Sequence, residues 1–448
     1  MFKVGVPRLT RFLTLTVAMS VVFGCSSSAA TPTTPAATTS VSGASGPSVS
    51  ATKSNVTLTM WVHTDPNYED VAKADAAAYE AATGVKITYN FVSWSDYQTK
   101  IVAAFASGTE PDIMQGVGSF LYGPKTAGLL DPVPADLQAN FSSFNQASLA
   151  PIMWKGQYYG VPFNTNIDSA PVATCSADAI TKAGIDPSKW AGSWDTYISD
   201  LQKLTIMNSS GKMTRAGLAQ SGDTNSSTTF LMYFMELGGT FYGPDGKVDI
   251  NNKYGTEALQ LMSDMVNKYK VDSPSITTAE GIATGSVACL IAGTWYTRML
   301  EHDFPTFKWQ YVKMPLPPGN VGKPYYPGTS VWAWMVPAKS PNKEAAWDYI
   351  RWLNQPDKLL AMSTQTGEIP ANKTLWTQAG VTDSPRFGPF ADILPYQIPV
   401  ETVGPQDGTS TPLFDMTNAV LQGSKSIPDA LAAAQAQINQ MISGLPQQ

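Results

Sequence analysis

Histidine and cysteine are almost missing from this chain. Its 448 residues include two histidines, His63 and His302, and three cysteines, Cys25, Cys175 and Cys289. The histidines are far apart in sequence and no Cys–His cluster occurs, so no metal site is expected. No CxxC is present, which removes thioredoxin-like redox chemistry. Charge is sparse as well. Charged residues make up 14% of the chain, the net charge is −6 and no basic patch occurs, which argues against a nucleic-acid partner. There is no phosphate-binding glycine loop and no Gly-x-Ser-x-Gly elbow, so no cofactor is expected. Residues 245–251 have the outline of a calcium loop but lack the spaced acidic series and the closing Glu, and a glycine-containing hairpin turn is the better reading. After the N-terminal segment, no run is long and apolar enough to span a membrane.

What is present begins at the N-terminus. Lys3, Arg8 and Arg11 lead into an apolar run over residues 12–23, the pattern of a secretory signal peptide over residues 1–24. Val22-Phe23-Gly24-Cys25 resembles the bacterial lipobox. That resemblance implies cleavage before Cys25, a diacylglyceryl group on its sulfur, and anchoring at the extracellular face of the cell membrane through lipid alone. Acyl chains partition into a bilayer at about 0.8 kcal/mol per buried CH2. A plain cleaved signal peptide, with Cys25 incidental, is the alternative. No charged residue lies between Cys25 and Lys53, and the stretch is almost entirely Ala, Thr, Ser, Pro and Gly. Such a segment cannot build a core, so residues 25–54 read as a flexible tether or an O-glycosylated stalk.

About 390 residues remain, too many for one ordinary core, so two lobes are expected. Aromatics are plentiful, with 12 Trp, 18 Tyr and 17 Phe. Trp residues beside Gly, Thr and Asn suggest a stacking surface for a neutral ligand. A strand is predicted over 56–62, a helix over 67–83 stopped by Gly84, an alternating strand over 85–92, and a second helix capped by Ser95 and stopped by Gly108. A short strand follows at 111–114. This order predicts a parallel α/β sheet whose ligands sit at the carboxyl ends of its strands. Further helices are predicted from Ser193, over 255–269 and 342–353, and after Ser426, with a buried strand at 286–291. Cys175 and Cys289 are an even pair in an exported domain, which suggests one disulfide; two buried free thiols are the alternative.

Seven short motifs then occur in order: Ala106-Ser107-Gly108-Thr109-Glu110-Pro111-Asp112-Ile113, Gly128-Leu129-Leu130-Asp131-Pro132, Gly156-Gln157-Tyr158-Tyr159-Gly160-Val161-Pro162, Lys182-Ala183-Gly184-Ile185 with Trp194-Asp195, Gly293-Thr294-Trp295, Met314-Pro315-Leu316-Pro317, and Thr366-Gly367-Glu368-Ile369-Pro370. In this order they resemble the extracellular solute-binding proteins of bacterial ABC importers, in the branch with maltose- and glycerophosphodiester-binding proteins. Gln157 stands where that family has Lys, and its Tyr-Asn pair is missing near Cys175. The resemblance implies the two-lobe α/β periplasmic-binding-protein fold, with hinge crossings and an interlobe ligand cleft. Lobe one would be 55–165 plus 311–371, and lobe two 166–310 plus 372–448. The crossings would fall near 162–166, 311–315 and 368–372. Both cysteines would lie in strands of lobe two, which favours the disulfide.

The function implied is capture of a sugar or oligosaccharide and delivery to ABC permease subunits by a monomer, without catalysis. A sugar needs hydrogen-bond partners for its hydroxyls and an aromatic plane for its C–H face. The expected suppliers are His63, Asp65, Trp94, Ser119, Asn164, Asn166, Trp295, Tyr296, Thr329, Trp332 and Glu368, with Arg298 as the nearby cation for a phosphate ligand. Trp61 and Trp334 read as core, and Asp112 as a local turn residue outside the site. Two other readings stand beside this one: a secreted glycosidase with two carboxylates in an aromatic cleft, and a surface sensory or adhesion module on the same fold.

Overall fold

A computed structural model describes residues 56–165, 167–220, 226–276, 280–328, 331–384, 386–400 and 408–445. The signal peptide, Cys25 and the tether lie outside these residues.

The opening strand, Thr57–His63, alternates exposed and buried side chains, so one face enters a core. Helix Pro66–Thr83 follows, its first turn capped by the Asp65 carboxylate and its end turned by Gly84 at φ 80°. Strand Lys86–Val92 and helix Trp94–Ser107 come next. Ser95 lies inside that helix rather than capping it. The cap position falls to Ser93, whose hydroxyl bonds Asp96 at 2.8 Å. The third strand is Ile113–Gly116.

These strands form a sheet ordered Lys86–Val92, Thr57–His63, Ile113–Gly116, Ala333–Met335, Val161–Pro162. The first three pair in parallel, as the βαβ order requires, and the last two run antiparallel. A second sheet is ordered Trp309–Lys313, Val172–Ser176, Val287–Ile291, Met213–Ala219, Ile206–Met207. Each sheet has its own core. One gathers Leu58, Met60, Ile113, Val161, Trp334 and Ile350; the other gathers Val172, Leu201, Phe230, Leu259, Tyr311 and Leu431. A smaller cluster with Tyr296 and Leu300 covers Ala219, Val287 and Leu290 of the second sheet. Trp334 is fully buried, while Trp61 packs partly buried against the first core.

The chain leaves the first core through Asn164–Thr165, which pairs antiparallel with Ile369–Pro370. The expected return at 311–315 is not made there. Trp309–Lys313 zips onto Val172–Ser176 over five register pairs, and the Tyr311 ring packs edge-on against Phe390. Met314 and Tyr326 still belong to the second core and Val331 to the first, so the return falls between 326 and 331. The proline-rich segment after Met314 is a loop of the second lobe.

In the second sheet, Cys175 and Cys289 are direct partners on adjacent antiparallel strands, and their sulfurs are bonded. The bond closes a separation of 114 residues. A cross-link of that span removes denatured-chain entropy worth about 4.7 kcal/mol in the chain-entropy account.

Asp112 is not the local turn residue expected. One carboxylate oxygen accepts from the Thr59 amide and hydroxyl at 2.8 and 3.0 Å, the other from Ser340 and Asn342 at 2.8 and 3.0 Å. Burial disfavours its charge, yet these donors outweigh burial and hold the carboxyl below its ordinary range. A depressed carboxylate contributes stability above its unfolded pKa and loses it as pH falls through the folded one. Asp112→Ala is expected to lower unfolding free energy by about 2–4 kcal/mol at pH 7, because several buried donors lose their acceptor. The deficit should shrink as pH falls below about 4. Chemical denaturation at pH 7 and pH 3.5 checks both statements.

Candidate functional site

The carboxyl ends of the first-sheet strands meet the crossings at one place. His63 ends the opening strand, and its ring stacks on Trp332 with centroids 4.4 Å apart and planes 17° apart. Trp94, the first residue of its helix, meets Trp332 edge-on at 5.5 Å and His63 at 6.1 Å. Trp332 is 8% exposed and Trp94 50% exposed, so the group presents an aromatic face rooted in the core. His63 is fixed from beneath: Gln115 Oε1 accepts from its backbone amide at 3.0 Å and lies 2.8 Å from its Nδ1. Burial pushes the imidazole pKa down, against the bond to Gln115 and the nearby Asp65 charge. The ring is therefore neutral at pH 7. With Nδ1–H donated to Gln115, Nε2 carries the accepting lone pair.

Asn164 lies beside this group, 2% exposed, and its Oδ1 accepts from the Trp332 amide at 3.1 Å. Its side chain faces Glu368, just before the Ile369–Pro370 strand. Burial is the main reason the Glu368 pKa rises to about 8; Asn164 opposes the rise, and the Asp65 and Asp168 charges add to it. Behind Asn164 and Glu368, against Leu359, Met362 and Pro370, lies a narrow space of about 150 Å³ that admits no water-sized sphere. A wider open depression of about 320 Å³ lies elsewhere, on the outer side of helix Lys343–Leu353 near Pro134, away from the strand ends.

The structure thus brings together His63, Asp65, Trp94, Asn164, Trp332 and Glu368. One Asp65 oxygen also accepts from the Asn67 amide at 2.9 Å as the helix cap. Ser119 stands in helix Gly118–Thr126 after the third strand, and its side chain lies outside the described residues, as do Asn166 and Thr329. Trp295 opens helix Trp295–Asp303 and is half-buried. Gly293 brings it there: a Cβ at 293 would fall 2.0 Å from the Ile167 carbonyl, so only glycine lets the helix start beside Asp168.

Two expected ligand residues do something else. Tyr296 is 1% exposed, inside the cluster that covers the second sheet. The helix begins at Trp295, so the next side chain turns about 100° away, under the helix. Arg298 is paired with Glu301 at 2.9 Å and donates to the Thr364 carbonyl of helix Pro356–Thr366 in the first lobe. Its alkyl stem rests on Gly367, where a Cβ would meet Arg298 Cγ at 2.7 Å. It joins the lobes rather than serving a phosphate. Two residues escaped the sequence reading. Gln115 orients His63, and Asp168 lies near Glu368. Asp168 continues the two-residue spacing of Asn164 and Asn166 in the sequence, which is the signal that marks it.

This geometry can be set beside known proteins. A family profile described as bacterial extracellular solute-binding protein matches residues 74–389. The chain belongs to that family. The lactose-binding protein of Rhizobium radiobacter is 25% identical over 350 residues, covering 73% of this chain and 78% of that one. An sn-glycerol-3-phosphate-binding periplasmic protein of Yersinia enterocolitica is 24% identical over 317 residues, covering 66% and 69%. Among solved structures, an ABC transporter solute-binding protein of Thermotoga lettingae bound with α-D-tagatose has a TM-score of 0.74 at 20% identity, covering 86% of this chain and all of that one. This solute-binding protein therefore has the two-lobe α/β fold, and its family consists of extracellular binding proteins.

Trp332 and Trp94 should separate in their effects on stability. Trp332→Ala empties a core position and should cost about 3–5 kcal/mol of unfolding free energy. Trp94→Ala, at a half-exposed site, should change it by less than about 1 kcal/mol. Denaturant titration of the two variants checks the difference. Equal losses would mean that the aromatic face is one buried unit.

Proposed function

We propose that this solute-binding protein captures a sugar or oligosaccharide between its lobes and delivers it, unaltered, to the permease of an ABC importer. The observation that carries this reading is the His63–Trp94–Trp332 face standing beside Asn164 and Glu368 at the strand ends. An aromatic plane takes the C–H face of a pyranose, while a neutral imidazole, an amide and a carboxyl serve its hydroxyls. Trp295 and Asp168 approach from the second lobe, so a ligand on the first-lobe face is met by the other wall when the lobes close. The lactose-binding relative and the tagatose-bound structural neighbour support the carbohydrate class. The lobes divide the chain near 162–166, 326–331 and 368–372.

A thermal-shift and calorimetric screen of neutral mono-, di- and oligosaccharides tests this. One of them should raise the melting temperature, since a ligand at a hundredfold excess over Kd adds about 2.7 kcal/mol. Trp94→Ala should weaken that ligand by about thirtyfold, as expected for an aromatic anchor worth about 2 kcal/mol. No reducing ends should appear on prolonged incubation. Failure of every saccharide to bind would remove the carbohydrate reading, and turnover would replace it with a glycosidase.

The same reading places the protein on the outer face of the membrane, held by lipid on Cys25 through the tether of residues 25–54. It is motivated by the basic n-region, the apolar run and Gly24-Cys25. Cys25→Ala should move the protein from the membrane to the soluble fraction on cell fractionation. An unchanged membrane fraction of intact protein would reject the anchor.

A further inference from the structure

The imidazole in the aromatic face is held in one hydrogen-bonding sense, and the step drawn from it rests on the carbohydrate reading. Gln115 lies in the third strand, beside the opening strand. Fully buried Tyr97 places its hydroxyl 2.9 Å from the Trp61 carbonyl and 2.5 Å from the Gln115 carbonyl, which ties the two strand ends together at this level. The Gln115 Oε1 is 3.0 Å from the His63 amide nitrogen and 2.8 Å from His63 Nδ1. A backbone N–H can only donate, so the amide atom that faces it is the oxygen. An amide oxygen can only accept, so the hydrogen shared with Nδ1 belongs to the imidazole. In the neutral ring Nε2 then carries a lone pair and no hydrogen. Nε2 stands on the side of the ring away from Gln115 and has no hydrogen-bond partner among the described residues. Stacking on Trp332 does not choose between the ring edges, since a half-turn about Cβ–Cγ keeps the ring plane and only exchanges Nε2 for Cε1. Gln115 makes that choice.

We propose that Gln115 is a positioning residue of the binding site: by fixing the tautomer and the ring edge of His63 it makes Nε2 a hydrogen-bond acceptor, so the site requires a solute hydroxyl that donates at that point. Gln115 is 1% exposed and acts through His63 rather than on the solute. Such a site discriminates by what it leaves unpaired, because an analogue without the hydroxyl strands the Nε2 lone pair. The requirement is lost in acid. A proton that enters the ring goes to Nε2, the nitrogen without a hydrogen, and turns the acceptor into a donor. Of the groups packed about the ring, Gln115, Trp94 and Trp332 are uncharged. Asp65, at the cap of the first helix, favours the charged ring, and burial outweighs it. Glu368, across Asn164, is raised by burial to about 8 and keeps its proton below pH 7.

The test uses the full chain, labelled with 15N-histidine, and long-range 1H–15N NMR reads the tautomer directly. The chain has two histidines, so His302→Gln assigns the His63 signal. Ligand-free wild type at neutral pH should show His63 with its hydrogen on Nδ1. Gln115→Ala should move the ring to the Nε2–H form or to a mixture, because nothing then holds the Nδ1 hydrogen. Gln115→Glu restores the acceptor and should restore the Nδ1–H signature, while its carboxylate raises the midpoint of the His63 titration above that of the wild type. Calorimetric titrations then use lactose, maltotriose and D-tagatose, with the monodeoxy derivatives of each. At one position the deoxy derivative should bind at least about tenfold more weakly than its parent, and that loss should shrink in Gln115→Ala. Wild-type affinity should fall about tenfold for each pH unit below the His63 midpoint, and in Gln115→Glu the fall should begin at higher pH. Wild-type His63 carrying its hydrogen on Nε2 would overturn the positioning role, and that arm needs no variant to fold. An unchanged tautomer in Gln115→Ala would overturn it as well. Equal affinity for every deoxy derivative would overturn the hydroxyl requirement while leaving solute capture intact. Absence of binding by all three saccharides would overturn the hydroxyl requirement together with the carbohydrate reading, while the ligand-free arm decides the role of Gln115 by itself.

Discussion

The three places where the chain passes between its cores are held together by one residue. Asn164 pairs through its backbone with Pro370, so the first and third crossings form a two-stranded ladder. Its Oδ1 accepts from the Trp332 amide at the foot of the second crossing, and its side chain faces Glu368 at the approach to the third. The groups that define the hinge are thus the groups that line the floor of the site. A ligand that bonds to this floor acts directly on the crossings about which the lobes turn, and no chain of intermediate contacts is needed to couple binding to closure.

Away from the hinge, the lobes touch through side chains. Arg298 reaches the Thr364 carbonyl and lies over Gly367, and Asn145 donates to Gln397 at 2.8 Å. Each such bond is worth about 0.5–1.5 kcal/mol net. These side-chain contacts lie off the backbone ladder of the crossings.

Much of this arrangement was legible in the sequence. Strands with two-residue alternation and helices with glycine stops fall where their patterns indicate, because those signals are local; the Ser95 cap is the exception, displaced to Ser93. His63, Trp94, Asn164, Trp332 and Glu368 lie together because each adjoins a strand end or crossing, and the α/β topology collects those ends in one place. The failures are of other kinds. Tyr296 turned inward because a helix starts one residue before it, and a position next to a strand end does not reveal that rotation. The second crossing was placed too early because the prolines after Met314 mark a loop as readily as a hinge; only the pairing of Trp309–Lys313 with Val172–Ser176 shows that the chain is still in the second lobe. Asp112 was read as local although its partners lie 53 and more than 220 residues away.

The site is also asymmetric in rigidity. On the first lobe, the His63 ring is clamped between Trp332 and Gln115, Trp332 is flanked by the fully buried Val331 and Trp334, and Gln115 is itself buried in the third strand. These side chains are held by contacts within the first core alone, so little conformational entropy would be lost if a ligand settled on them. On the second lobe, Trp295 stands at the start of its helix and Asp168 just past the first crossing. In the capture proposed above, the aromatic platform is the part of the site that is already in place before a solute arrives.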